Sequence, residues 1–161
     1  MIGTVRLAEV AEFISAKHRG TNVPFQFVST DTRTIQPGDL FVALVGDRFD
    51  GHEYISLAVE KGACAVLVSK PVDTIVPFLQ VKDTTKALGR LALFNREKFN
   101  KDVVAVTGSS GKTTVKGMMA TLLRQQNEVL VTRGNFNNHI GAPLTLLRLN
   151  QTYDYAMLEL G

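Results

Sequence analysis

Residues 107–114, Thr107-Gly108-Ser109-Ser110-Gly111-Lys112-Thr113-Thr114, combine the groups that gather a polyphosphate. Gly108 and Gly111 let the backbone turn tightly and aim its N–H groups at an anion. A helix opening at Lys112 adds its free N–H groups and the positive end of its dipole. Lys112 brings an ammonium for β- and γ-phosphate oxygens, and the Thr113 hydroxyl stands where a Mg²⁺ ligand is needed. The general phosphate-loop pattern has a further glycine five residues before Gly111, where this chain has Val106. The spacing GxxGKTT is therefore carried by its context, a strand in front and a helix behind. A plain Gly-Ser turn would leave Lys112 and the two threonines without a purpose. The chemistry implied is binding of a nucleoside triphosphate.

The elements around this loop follow from the apolar pattern. Val103 to Val106 is β-branched and apolar on both faces, which predicts a buried central parallel strand. Val115, Met118, Met119, Leu122 and Leu123 predict an amphipathic helix over about 112–125, its methionines there for packing. Glu128 to Thr132 and Tyr155 to Gly161 read as further strands, and Ile140 to Leu149 as a helical stretch containing Pro143. Upstream, Leu7 to Lys17 reads as a helix presenting Leu7, Val10, Ala11 and Ile14. Strands are expected at Val23–Val28, Leu40–Val45, Cys64–Val68 and Phe78–Val81, with a polar turn at Ser29–Arg33 and a Pro-Gly turn at Pro37-Gly38. A loop at Gly46–His52 leads into a helix over Glu53–Lys61. Asp83-Thr84-Thr85 can cap a helix over Lys86–Phe99, so the division between two units is expected near residue 82. The fold class is α/β. Only three strands follow residue 100, too few to cover both faces of a doubly wound sheet. A chain cut within a longer enzyme is expected.

Length and composition agree. The 161 residues are 45% hydrophobic and 20% charged, with a net charge of +3, a balance typical of a globular protein. The first 82 residues are close to neutral, and the positive excess lies in the half that holds the phosphate loop. It is too small and dispersed for a nucleic-acid stripe. No apolar run approaches the ~20 residues of a membrane span, and no secretory leader is evident. A single cysteine, Cys64, excludes an internal disulfide and fits a reducing cytoplasm.

Four segments together resemble the Mur ligases, the ATP-dependent amide-forming enzymes of peptidoglycan synthesis. TGSSGKTT at 107–114 is similar to their phosphate loop. STDTR at 29–33, PGDLFVAL at 37–44 and GDRFDGHEY at 46–54 resemble their amino-terminal domain, which binds the uridine nucleotide of the substrate. GNFNNHIGAPLTLLRL at 134–149 and YDYAMLELG at 153–161 resemble the branch that joins D-alanyl-D-alanine to a UDP-N-acetylmuramoyl-tripeptide. The resemblance covers nearly the whole chain. It implies a uridine-nucleotide-binding unit over 1–82, followed by the first part of a P-loop-type parallel-sheet ATP-binding domain over 83–161. It also implies a cytoplasmic enzyme, expected as a monomer, serving cell-wall synthesis, shape and division.

What the resemblance implies for residues can be stated one by one. Lys112 and the N–H groups of residues 107–114 would hold the phosphates of ATP, and Thr113 would hold Mg²⁺. Glu159, at the carboxyl end of a neighbouring parallel strand, would be a second Mg²⁺ ligand or else a solvated strand end. Ser29, Thr30, Asp31 and Arg33 would contact the uridine nucleotide. Arg33 could equally grip the diphosphate or brace Asp31. The loop Gly46, Asp47, Arg48, Asp50, Gly51 and His52 would wrap the uracil, although His52 could instead cap the following helix. Asn135, Asn137 and Asn138, three amides in four positions, suit a peptide, sugar or nucleotide, against a bland reading as turn formers. His139 beside them reads as a surface histidine. The family's later histidine and lysine, which complete its metal site, and its carboxyl-terminal domain have no counterpart here. No turnover is therefore expected from these 161 residues alone. Competing readings are a diaminopimelate- or lysine-adding relative, a folylpolyglutamate synthase, a non-catalytic uridine-nucleotide module, and, remotely, a regulatory GTPase.

Overall fold

A computed structural model describes all 161 residues, Met1–Gly161. The first half runs β1 (Val5–Arg6), α1 (Leu7–Ile14), β2 (Lys17–Arg19), β3 (Pro24–Phe25), β4 (Val28–Ser29), β5 (Leu40–Val42), β6 (Val45–Gly46) and β7 (Phe49–Asp50). A 3-10 turn (Gly51–Tyr54), α2 (Ile55–Glu60), β8 (Ala65–Val68) and β9 (Phe78–Gln80) complete it. The second half runs α3 (Thr84–Glu97), β10 (Asp102–Val106), α4 (Lys112–Leu123), β11 (Val129–Val131), α5 (Gly141–Leu146) and β12 (Tyr155–Glu159).

The first sheet has the order β2-β9-β8-β5-β4, parallel except for β2 at one edge. Alternation along its strands sorts two cores. Leu40, Val42, Ala65, Leu67 and Leu79 pack beneath α1 and α3, while Phe41, Ala43, Val66 and Val68 pack against Ile55 and Ala58 of α2. Two short strands escape the apolar pattern. β2 reads Lys-His-Arg and is polar because it is an antiparallel edge. The single strand expected at Val23–Val28 is divided, since Phe25 pairs with Val5 of β1 whereas Val28 pairs with Leu40 of β5. Phe27, between the two pairings, is exposed.

The second sheet has the parallel order β10-β12-β11. Contrary to the expectation from strand number, both of its faces are covered. α4 lies on one face, over Val104, Val106, Val129 and Met157. On the other, Val103, Leu130 and Ala156 meet Ile2, Phe99 and Leu149. What stays open is an edge. β10 is a border strand with Ala105 exposed, and not the buried central strand its composition predicts.

α3 sits between the halves. Asp83 caps it by accepting from the N–H groups of Thr85 at 2.9 Å and Lys86 at 3.0 Å. Its Ala87, Leu88, Leu91, Ala92 and Phe94 share one core with α1 and with Leu147, just beyond α5. Asn95, fully buried, accepts from the Ile2 N–H and donates to the carbonyls of Leu146 and Leu149.

α4 differs from the sequence expectation. Val115, Met118 and Leu122 are exposed to 46%, 65% and 67%, and the buried positions are Lys116 and Ala120. The helix turns a lysine inward because a carboxylate waits there. No helix is long and apolar enough to cross a membrane.

Candidate functional site

Two sites take shape, one in each half. The phosphate loop leaves β10 at Val106 and enters α4 at Lys112. Residues 107–111 are exposed, and Gly111 adopts φ +73°, the left-handed conformation that favours glycine. No side chain caps α4, so the N–H groups of its first turn are available to an anion. The Lys112 Nζ donates to the Gly108 carbonyl at 2.7 Å. That partner is neutral and belongs to the loop itself, so the ammonium is not consumed by a carboxylate.

Beside the loop, Glu159 ends β12, in register with Val106 of β10. It is not a solvated strand end, for its side chain is only 5% exposed. Its Oε2 accepts from Thr113 Oγ1 at 3.0 Å and from Lys116 Nζ at 2.8 Å, and its Oε1 accepts from Asn137 Nδ2 at 3.0 Å. Its backbone N–H donates to Thr132 Oγ1 at 3.0 Å, and Lys116 Nζ also donates to the Thr132 carbonyl at 3.3 Å. The Lys116 hydrogen bond, with those of Asn137 and Thr113, holds the Glu159 carboxyl down at about 2 against the opposing effect of burial. The two oxygens nearest the loop fit a Mg²⁺ ion. Thr113 Oγ1 and Glu159 Oε2 stand 3.0 Å apart, a hydroxyl and a carboxylate oxygen of the hard kind that Mg²⁺ takes.

The first half holds a cavity of about 500 Å³ lined by Thr30, Asp31, Thr32, Arg33, Phe41, Phe49, Gly51 and Tyr54. Arg33 closes on Asp31 through Nε and Nη2, the shortest contact being 2.6 Å, so of its two expected roles this structure displays the brace. That pairing holds the Asp31 carboxyl at about 2. Ser29 is buried and does not line the cavity. Its Oγ donates to the Asp31 carbonyl and accepts from the Asp31 N–H, fixing the turn. The segment Gly46–Asp50 is no plain loop but the hairpin β6–β7, with Asp47 and Arg48 at its exposed tip and away from the cavity. Gly46 lies under the Phe49 ring, where a Cβ would come within 2.4 Å of Cε1. Asp50 and His52 are likewise absent from the lining. Asp50 caps the 3-10 turn by accepting from the His52 N–H, the role expected of His52, and pairs with Lys70 at 2.6 Å. The His52 ring is buried between Asp50 Oδ1 at 2.5 Å and the Ser69 N–H, which donates to Nε2 at 3.0 Å.

A scan against family models matches residues 24–96 to the Mur ligase family catalytic domain and residues 106–161 to the Mur ligase middle domain. The UDP-N-acetylmuramoyl-tripeptide–D-alanyl-D-alanine ligase of Escherichia coli K12 is 49% identical over 158 residues, 98% of this chain and 35% of that protein. The chain belongs to the Mur ligase family. A crystal structure of MurF from Acinetobacter baumannii superposes with a TM-score of 0.92 at 35% identity, over 99% of this Mur ligase chain and 36% of its own. The MurF ligase of Thermotoga maritima in complex with ADP gives 0.75 at 34% identity, over 83% and 31%. The chain thus spans about a third of the length of the relatives it matches.

Within this Mur ligase chain the asparagines part company. Asn137 joins the Glu159 cluster, Asn138 Oδ1 accepts from the N–H groups of Ile140 and Gly141 at the start of α5, and Asn135 is exposed. His139 is exposed, as expected. Sequence reasoning missed Lys116, Thr132, Phe49 and Tyr54. For Lys116 the signal was a lysine four residues after Lys112, on the face that also carries Ala120. For Phe49 and Tyr54 it was two aromatic residues inside the GDRFDGHEY segment.

Proposed function

We propose that the chain carries the uridine-nucleotide and ATP-phosphate sites of a Mur ligase that joins D-alanyl-D-alanine to UDP-N-acetylmuramoyl-tripeptide. The observation that carries this is the meeting of Thr113 and the ionised Glu159 beside an uncapped, glycine-built helix start. The similarity to ligases of that name over nearly the whole chain supports the substrate, and the ADP complex of the Thermotoga maritima enzyme supports the nucleotide.

The reaction transfers the γ-phosphoryl of ATP to a carboxylate oxygen of the tripeptide, giving an acyl phosphate and ADP. The dipeptide amine then attacks the acyl carbon, loses a proton, and expels phosphate as the amide forms. The first step drives two anions together, so oriented dipoles and cations must offset their repulsion. The N–H groups of residues 107–114 and the Lys112 ammonium do this at the phosphates, Lys112 exchanging its loop carbonyl for phosphate oxygen. Thr113 Oγ1 and Glu159 Oε2 would hold Mg²⁺, which would supply positive charge to offset that of the phosphates. In the first half, Phe49 and Tyr54 offer faces for the uracil, and Thr30 and Gly51 offer polar edges. Asn135, at the loop ahead of α5, remains a contact for the peptide arm.

Calorimetric titration tests both sites. ADP is expected to bind with Mg²⁺ and to lose affinity in EDTA, and UDP to bind independently of Mg²⁺. Binding of UDP without any Mg²⁺-dependent ADP binding would favour a uridine-nucleotide module. With all three substrates, release of ADP by these residues alone is not expected, and turnover would contradict that part of the proposal.

A further inference from the structure

The geometry points to Lys116 as a positioning residue for the metal-binding carboxylate, an inference that rests on the ATP and Mg²⁺ reading above. A lysine on a surface helix ordinarily carries its ammonium out to water along its flexible stem. Lys116 does the reverse. Its side chain is 6% exposed and spans from α4 to the ends of two strands, donating to Glu159 Oε2 and to the Thr132 carbonyl. Burying that charge is costly unless it is paired and hydrogen-bonded, so the pairing with Glu159 keeps the lysine inside.

The bonds on Glu159 differ in what they can do. Oε2 accepts two hydrogens, from Thr113 and Lys116, and Oε1 accepts one from Asn137. The Thr113 hydrogen lies between the two oxygens that a shared cation would bridge, so this contact must be given up when a metal arrives. The Lys116 bond approaches the same oxygen from the buried side and need not break. Lys116 and Asn137 are thus the fixed anchors, and Thr113 is the exchangeable one. Lys116 also offsets the charge of Glu159 before metal arrives. The protein alone then presents a neutral cluster, and the divalent ion is drawn in by the nucleotide's phosphates, as Mg²⁺ sites with few protein ligands require. Lys112 and Lys116, one turn apart, divide the work: the first faces the nucleotide, the second faces the carboxylate.

The test is the ratio of ADP affinity in Mg²⁺ to that in EDTA, with thermal unfolding recorded on each variant. In the wild-type chain the ratio is expected to be well above one. Lys116→Met is expected to lower it by about ten-fold or more, the usual loss when the partner that orients a metal ligand is removed. Lys116→Arg keeps the charge but cannot reproduce both bonds, and is expected to fall between. In a Glu159→Gln background the Lys116→Met change should have no further effect on the ratio. A lysine serving only to hold the helix would move both affinities together with the unfolding temperature and leave the ratio intact, and that result overturns the proposal. If Lys116→Met does not fold, Lys116→Arg decides, and an unchanged ratio there overturns it equally. A wild-type ratio of one would instead bring down the Mg²⁺–ATP reading itself.

Discussion

Phe49 is the clearest residue-scale probe of the proposed uridine site. It is 54% exposed, at a cavity wall, with its ring over Gly46. Stacking of a base on an aromatic face contributes about 1–3 kcal/mol. Phe49→Ala is therefore expected to weaken UDP binding by roughly 5- to 150-fold. The unfolding temperature should move little, because more than half of the side chain is already in water. Loss of stability with unchanged UDP affinity would place the nucleotide elsewhere. Glu159 gives the second residue-scale prediction. Its carboxyl is held at about 2 in the folded chain, below its ordinary 4.5, chiefly by Lys116. The pairing therefore stabilises fully above pH 4.5 and fades as pH falls through about 2. Glu159→Gln strands the Lys116 ammonium in the interior, a loss of about 3–5 kcal/mol near neutral pH. The gap between wild type and variant in denaturant-derived stability should stay constant above pH 5 and narrow in acid. A gap that widens in acid would contradict the buried pair.

At the scale of elements, α4 separates what pattern could show from what it could not. Its start was legible, since glycines, lysine and threonines in that order leave few alternatives to an anion-binding turn. Its inward face was not. Val115, Met118, Met119, Leu122 and Leu123 make a plausible apolar stripe, yet only Met119 and Leu123 pack against the sheet. The helix is rotated so that Lys116 reaches Glu159, a residue 43 positions away that no local window links to it. The buried strands β5, β8 and β12 were legible because continuous apolar runs dominate them. The short polar β2 and the divided β3 and β4 were not, because their pairing is decided by distant partners. In the candidate site the proposed ligands Thr113 and Glu159 were legible as types at the ends of elements. The orienting groups Lys116 and Thr132 became visible only in three dimensions. The rotation of α4 has a direct consequence. Met118→Lys with Leu122→Lys should leave stability within about 0.5 kcal/mol per site, as for ordinary surface positions. If that stripe were core, the double change would cost several times as much in a urea titration.

At the scale of the whole molecule, α3 makes the two halves one folding unit. Leu88, fully buried, lies in a core that includes Leu7 and Val10 of α1, Leu40 and Leu67 of the first sheet, and Leu147 beyond α5. Asn95, further along the same helix, ties the amino-terminal segment through Ile2 and the end of α5 through two carbonyls. Both halves thus draw on the same helix, and neither can lose it cheaply. Leu88→Ala should cost about 2–5 kcal/mol, as for other large-to-small changes in a close-packed core. The expected calorimetric trace is a single transition, displaced downward by roughly 2–4 °C for each kcal/mol lost. The amides of β12, in the other sheet, should lose exchange protection along with those of β5. Two separated transitions, with only the earlier moved by Leu88→Ala, would mean that the helix belongs to the first half alone. The same coupling bears on function. The cavity proposed for uracil includes Phe41 of β5 and Phe49 of the β6–β7 hairpin, and the phosphate loop joins β10 to α4, so the helix packed beneath one and leading into the other would fix the ground on which both nucleotides are proposed to bind. Asn95→Ala leaves two buried backbone groups, the Ile2 N–H and the Leu149 carbonyl, unpaired at about 1–3 kcal/mol each, while the Leu146 carbonyl keeps the Leu149 N–H. Where the variant remains folded, this loss is expected to weaken ADP and UDP binding together, whereas Phe49→Ala weakens UDP alone.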